Sequence, residues 1–237
     1  MRMFRSLVLA SALLGSTAGA QSFSTGASID GLGFDNDWTV CVRRITPDAG
    51  IFTTSNPAVT ASCNLTGAGV STKAMRVTAT PNGWAVVPVN GAYYISAEAD
   101  ASLYNSLRDE NANFEYTFYR TFSSANAFSS LWLRNFAFDN TFLGWSVNGS
   151  ALSLSGLTPN INNPPPFGTN WLNMYELNIN GAAGVAGSNT LAIRVTGNGL
   201  TDGILANTSV VPEPSTYALM AAGLAGLVAI KRRRRAA

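Results

Sequence analysis

The chain has 237 residues, enough for one large domain with a real core, and it is 46% apolar but only 12% charged, about half the ~25% usual for soluble globular proteins. It contains no histidine, which excludes Ser-His-Asp and Cys-His nucleophilic sites, His-ligated zinc and any imidazole acid or base. The formal charge of +2 hides an asymmetry: both ends are basic, while residues 21–209 carry eight cations against twelve anions, net −4, and so lack the basic face that nucleic-acid phosphates demand.

In chain order, Arg2 and Arg5 precede the apolar run Leu7 to Leu14, and Ala18-Gly19-Ala20 then offers the small-x-small pattern that fits a signal-peptidase groove. A buried N-terminal helix is the competing reading. Charge, apolar run and cleavage site fall in the order of a signal peptide over residues 1–20, cut between Ala20 and Gln21, and this predicts export.

Residues 21–209 show no long helical periodicity; short β-rich runs recur between Gly, Asn, Pro and Ser clusters. Trp38 to Val42 predicts the first strand, and Met75 to Thr80 and Ala92 to Ser96 predict two more. Phe114, Tyr116, Phe118 and Phe122 mark one face of an alternating strand, with Glu115, Thr117 and Thr121 on the other. Leu131 to Phe138, Phe142 to Val147, Ala151 to Leu154, Met174 to Leu177 and Thr190 to Thr196 follow. In the last of these Leu191, Ile193 and Val195 face inward, and Arg194 and Thr196 outward. This many strands in one domain predict an all-β fold, a jelly-roll-like antiparallel β-sandwich. Cys41 and Cys63 are the only two cysteines. Outside the cytoplasm such a pair forms a disulfide, worth about 3 kcal/mol for a loop of this length in the chain-entropy picture.

The second half runs from Phe114 to Phe122 through Leu131 to Phe138 to Trp145-Ser146-Val147-Asn148-Gly149, and later to Gly187-Ser188-Asn189-Thr190-Leu191 and Asn198-Gly199. This order resembles the galactose-binding-like jelly roll found beside many secreted glycosidases, over roughly residues 84–207. Asn148-Gly149 independently supplies the pair of positive-φ residues that a type I′ hairpin wants. These residues look like scaffold and do not name a ligand.

Candidate chemistry is sparse. Glu98, Glu110, Glu115 or Glu176 could pair with Asp100, Asp109 or Asp139 as glycosidase carboxylates, but nothing sets any two across a cleft. No cofactor is implied. A structural Ca²⁺ at Asp100 or Asp109-Glu110-Asn111 competes with a solvated loop, and Asp35-Asn36-Asp37 is similarly ambiguous. Trp38 and Trp132 lie within strand patterns and read as core. Trp84, Trp145 and Trp171 sit at strand edges or beside loops, where exposed rings could stack on sugars, although buried anchors are commoner. Gly181, Gly184 and Gly187 read as a flexible loop rather than a dinucleotide fingerprint. Thr158 to Asn170, with Pro164 to Pro166, reads as a polar loop.

The tail from residue 210 to 237 is the most specific stretch. Pro212-Glu213-Pro214 keeps the backbone extended, an apolar run follows from Tyr217 to Ile230, and Lys231, Arg232, Arg233, Arg234 and Arg235 close it. Fourteen residues span only ~21 Å as a helix, short of the ~30 Å hydrocarbon core, and Ala and Gly dominate the run. The basic cluster stays cytoplasmic by the positive-inside rule.

Extended motif, short span and basic stop together resemble the PEP-CTERM sorting signal of Gram-negative bacteria. An ordinary single-span anchor is the competing reading. The resemblance implies recognition and cutting by an exosortase-type enzyme, a transient stay in the inner membrane with the body in the periplasm, and then the cell surface or medium. It also implies association with extracellular polysaccharide or biofilm matrix. The sequence therefore predicts residues 1–20 as signal peptide, 21–209 as sandwich and 210–237 as sorting segment. The predicted partners are signal peptidase and the sorting enzyme, and the predicted role is non-enzymatic. A carbohydrate-binding module and, behind it, a secreted hydrolase are the alternatives.

Overall fold

A computed structural model describes residues 22–45, 59–60, 63–64, 71–78, 84, 88–99, 101, 114–139, 141–152, 157–159, 174–197 and 202–211. The predicted signal peptide with its expected cut between Ala20 and Gln21, and the tail from Pro212 onward, lie outside them. Among the described residues there is no helix, hence none long and apolar enough to cross a membrane.

The strands are β1 (Ser22–Ser24), β2 (Phe34–Arg44), β3 (Val59–Thr60), β4 (Thr72–Arg76), β5 (Ile95–Ser96), β6 (Phe114–Ser124), β7 (Phe128–Phe138), β8 (Thr141–Val147), β9 (Ser150–Leu152), β10 (Leu157–Pro159), β11 (Tyr175–Gly184), β12 (Gly187–Gly197) and β13 (Ile204–Val211). They form one sheet in the order β10-β11-β7-β13-β5-β4-β2-β6-β12-β8-β9, with β1 on β13 and β3 on β2. Every pairing is antiparallel except the short β2–β3 ladder.

Two-residue β5 joins the two layers, pairing β13 on one side and β4 on the other. Beyond it the sheet folds over, so β11 comes against β8 and β9 and the sheet nearly closes. The expected all-β sandwich is thus present. Its core lies between the layers. Phe128, Leu131, Leu133, Phe136, Phe138, Ile204 and Val210 of one layer meet Trp38, Val40, Phe114, Tyr116, Phe118, Phe122, Leu191, Ile193 and Val195 of the other. The period-2 alternation read from β6 and β12 sets those inward rows.

The outward face of β6 departs from expectation. Glu115, Thr117 and Tyr119 are buried along with the aromatic row, because the Cys41–Cys63 disulfide closes over that face (Cα–Cα 5.9 Å). Cys41 and Cys63 pack there with Tyr119 and Ala192 in a small second cluster. A third cluster, Val77, Trp84, Ala92, Tyr94, Ala101, Ala137, Met174 and Leu205, covers the outer side of β5, β13 and the end of β7.

Four readings are corrected. β1 and β13 were not expected; they pair through Ser22↔Ser209 and Ser24↔Asn207, a contact between the first and last strands that no local pattern announces. β13 runs to Val211, so the sheet continues two residues past the expected boundary at 209. The glycine run is no loop: Gly181 and Gly184 lie in β11 and Gly187 opens β12. Trp132 lies outside the core. β7 carries a bulge at Asn135 (φ 48°), where its register on β13 steps from Leu205↔Ala137 to Asn207↔Arg134. The extra residue shifts the alternation, so Leu131 and Leu133 point inward and Trp132 and Arg134 outward.

Candidate functional site

Among the described residues, the buried Asp35, Asp139 and Asp202 are each hydrogen-bonded within the fold. Asp35 accepts N–H bonds from Gly26 (2.6 Å), Asp37 (2.9 Å) and Trp38 (3.2 Å). Burial pushes its carboxyl above the usual range, against those donors and the Arg120 charge. Tyr116 Oη donates to Asp202 (2.8 Å) and Ser96 Oγ to the Asp202 carbonyl (2.5 Å). A Cβ at Gly197 would stand 2.1 Å from the Asp202 carboxyl, so only glycine lets β12 pass this close. Trp84 Nε1 donates to Asp139 (3.3 Å). These contacts tie β13 and the β7–β8 junction to the neighbouring strands, which is a scaffold role.

Glu115 sits between Arg43 (2.6 Å) and Arg194 (2.7 Å) on the outer face of β2, β6 and β12. Desolvation raises its pKa, but the two guanidinium groups outweigh that and hold it below the usual range. Tyr119 beside it donates to the Asn64 carbonyl (2.5 Å), and burial pushes its phenol up to about 12. With both carboxylate oxygens taken by arginines, Glu115 has the surroundings of a structural ion pair rather than a general acid.

The turn residues behave as scaffold too. Asn148 (φ 53°) and Gly149 (φ 80°) form the two-residue β8–β9 hairpin loop. The Asn148 side chain accepts from Thr190 N (2.9 Å) and donates to Asn189 Oδ1 (2.9 Å). Asn189 in turn clasps both the N–H and the carbonyl of Val185 (2.8 Å each). One amide pair thus locks the β8–β9 turn onto the β11–β12 turn.

The tryptophans are redistributed. Trp84 and Trp145 are only 7% and 4% exposed, so neither offers a ring to a sugar: the stacking alternative falls away for both, and they fill core space as buried anchors do. Trp171 lies outside the described residues, as do Asp100, Asp109, Glu110 and residues 160–170 of the polar loop expected from Thr158 to Asn170, whose first two residues are strand in β10. Trp38 is core as expected. Trp132 is partly exposed on the outer face of β7, with the Arg134 guanidinium 3.5 Å from its ring centroid. The spacing that betrays this was in the sequence: Leu131 and Leu133 share one phase, Phe136 and Phe138 the other. Arg76 stacks likewise on Tyr93 (3.3 Å). Among the described residues no group of three or more His, Cys, Asp or Glu could hold a metal.

Val210 and Val211, the last two residues of β13, lead straight into Pro212-Glu213-Pro214. A family model, the PEP-CTERM protein-sorting motif, matches residues 210–235. The chain carries a PEP-CTERM sorting signal. The PEP-CTERM match begins inside the last strand and ends at Arg235, covering the Pro-Glu-Pro triplet, the apolar run and the basic stop. None of the curated proteins matches the chain. Among solved structures, it is similar to part of a selenomethionine-labelled β-glucosidase from Kluyveromyces marxianus, at 9% identity over 55% of this chain and 16% of that one, with a TM-score of 0.32. At that level the likeness fixes neither a fold family nor an activity.

Proposed function

We propose that this protein is a non-enzymatic β-sandwich of the Gram-negative cell surface or matrix. An exosortase-type enzyme releases it from the inner membrane, and it then associates with extracellular polysaccharide. The sorting signal carries the reading, because it marks the chain for export and exosortase processing. The body supports the non-enzymatic part, since Glu115 and the buried Asp35, Asp139 and Asp202 are spent on internal hydrogen bonds and ion pairs. The matrix role follows from the sorting-signal resemblance, and the low-charge body, rich in Asn, Ser, Thr and Gly, fits a hydrated matrix.

Glu213→Ala is the test of sorting, because it leaves the apolar span and the basic stop untouched. The variant should accumulate as a membrane-bound, unprocessed form with its body in the periplasm, while wild type reaches the surface or medium without its hydrophobic tail. Mass spectrometry of that fraction decides it: a wild-type peptide reaching Ala237 would make the tail a permanent anchor. Wild-type protein that fails to co-purify with the cells' extracellular polysaccharide would remove the matrix role.

A further inference from the structure

The outer faces of the sandwich are unequally used. The disulfide and the Arg43–Glu115–Arg194 trio cover β2, β6 and β12, and the Trp84–Tyr94–Met174 cluster covers β5 and the far part of β13. The rest of β13, with β7 and β1, presents a polar surface ordered by register. Ser22, Ser209 and Trp132 stand in one cross-strand row, and Ser24, Asn207 and Arg134 in the next. Phe23 and Thr208, between the rows, point the other way and are buried, so both rows face out.

We propose that this face, centred on Trp132 and Arg134, binds a hydroxyl-rich polysaccharide chain. The proposal rests on the polysaccharide association put forward above and gives it a site. An indole offers an apolar face to the C–H face of a sugar, and adjacent N–H and O–H groups fix its hydroxyls. Arg134 lies flat on Trp132, and the pair restrains both long side chains before any ligand arrives. The described ion pairs use Arg43, Lys73, Arg120 and Arg194 but not Arg134, so its guanidinium keeps donors for a ligand. Ser22 and Ser209 add short hydroxyls in the Trp132 row, while Asn207 is held in place by Ser24 and by donating to the Val89 carbonyl (2.9 Å). A protein partner is disfavoured, because among the described residues the exposed large apolar side chains, Ile29, Leu32, Ile45 and Val185, all lie off this face and stable protein interfaces need an apolar centre.

The test uses processed protein recovered from the surface or medium, with deproteinised extracellular polysaccharide of the same cells as probe. Wild type should bind with a shift in tryptophan emission. Trp132→Ala should weaken half-saturation about tenfold or more, the loss of one stacked ring. Trp132→Phe should restore part of it, and Arg134→Ser should weaken it several-fold. Thr121→Ala, exposed on β6, should change nothing, and far-UV spectra and thermal midpoints establish that each variant is folded. Equal binding by folded Trp132→Ala overturns this site and leaves the matrix role intact. Absence of wild-type binding overturns both. Sedimentation showing that Trp132→Ala dissociates a wild-type dimer would make the face a contact between copies and overturn the proposal.

Discussion

Glu115 illustrates how a residue that looks catalytic in a sequence becomes structural in the fold. Its side chain is 5% exposed, while Arg43 and Arg194 keep 39% and 34% of theirs, so the ions attract through a partly wet medium. Glu115 is held below its ordinary pKa. Its contribution is therefore present above the unfolded value of about 4.3 and is lost as pH falls through the lower folded value. Asp35, shifted upward, has the opposite sign: the stability it lends at low pH is lost as pH rises through its folded value. Glu115→Gln should cost about 1–2 kcal/mol at pH 7, below the figure for a fully buried pair because the arginines are partly solvated. It should also flatten the fall in stability between about pH 5 and pH 3. Urea midpoints of both proteins across that range check it; an unchanged slope would assign the pH dependence to other carboxylates.

At the scale of elements, β13 joins fold to function. It lies inside the sheet, with β7 on one side and β5 and β1 on the other, and Val210 is 3% exposed in the main core. Cutting before Val210 would remove a buried valine, about 1.5–3 kcal/mol, together with its ladder with β7. The processed protein should therefore end at or beyond Val211, and its C-terminal peptide in surface fractions measures this directly. A C-terminus before residue 210 would mean that the sorting enzyme opens the sheet. A fragment of residues 22–211 should likewise melt several degrees above one of residues 22–209. The same element shows why sequence reading passed it by. Ile204–Val211 has no two-residue alternation: three apolar residues, then Asn207, Thr208 and Ser209, which look like a loop, then two valines, and its partner β1 sits some 180 positions away in register, Ser22↔Ser209. The bulge in β7 was legible in hindsight, because the step from Leu133 to Phe136 breaks the two-residue period.

Over the whole body, Ser22 and Val211 sit at the same end of adjacent antiparallel strands, so the sorting signal follows the body beside the strand that opens it. The sandwich cannot close until β13 has emerged, which places completion of folding after the chain has been exported as far as its sorting tail. A two-layer sheet with one shared core should unfold in a single transition. The Cys41–Cys63 link should add about 3 kcal/mol; the Cys41→Ala/Cys63→Ala protein should keep a single transition at a midpoint lower by several degrees. Two separable transitions would contradict the shared core. By itself the sequence determined the sorting signal, the all-β class, the cysteine pair and the Asn148-Gly149 turn, because each is written in neighbouring residues or in composition. The tertiary structure alone decided that Trp84 and Trp145 are buried while Trp132 is partly exposed, that Glu115 is an ion-paired strut, and that the first and last strands pair. Burial and long-range register are set by what packs on each face of a strand, and a strand's own residues do not say which faces will be covered.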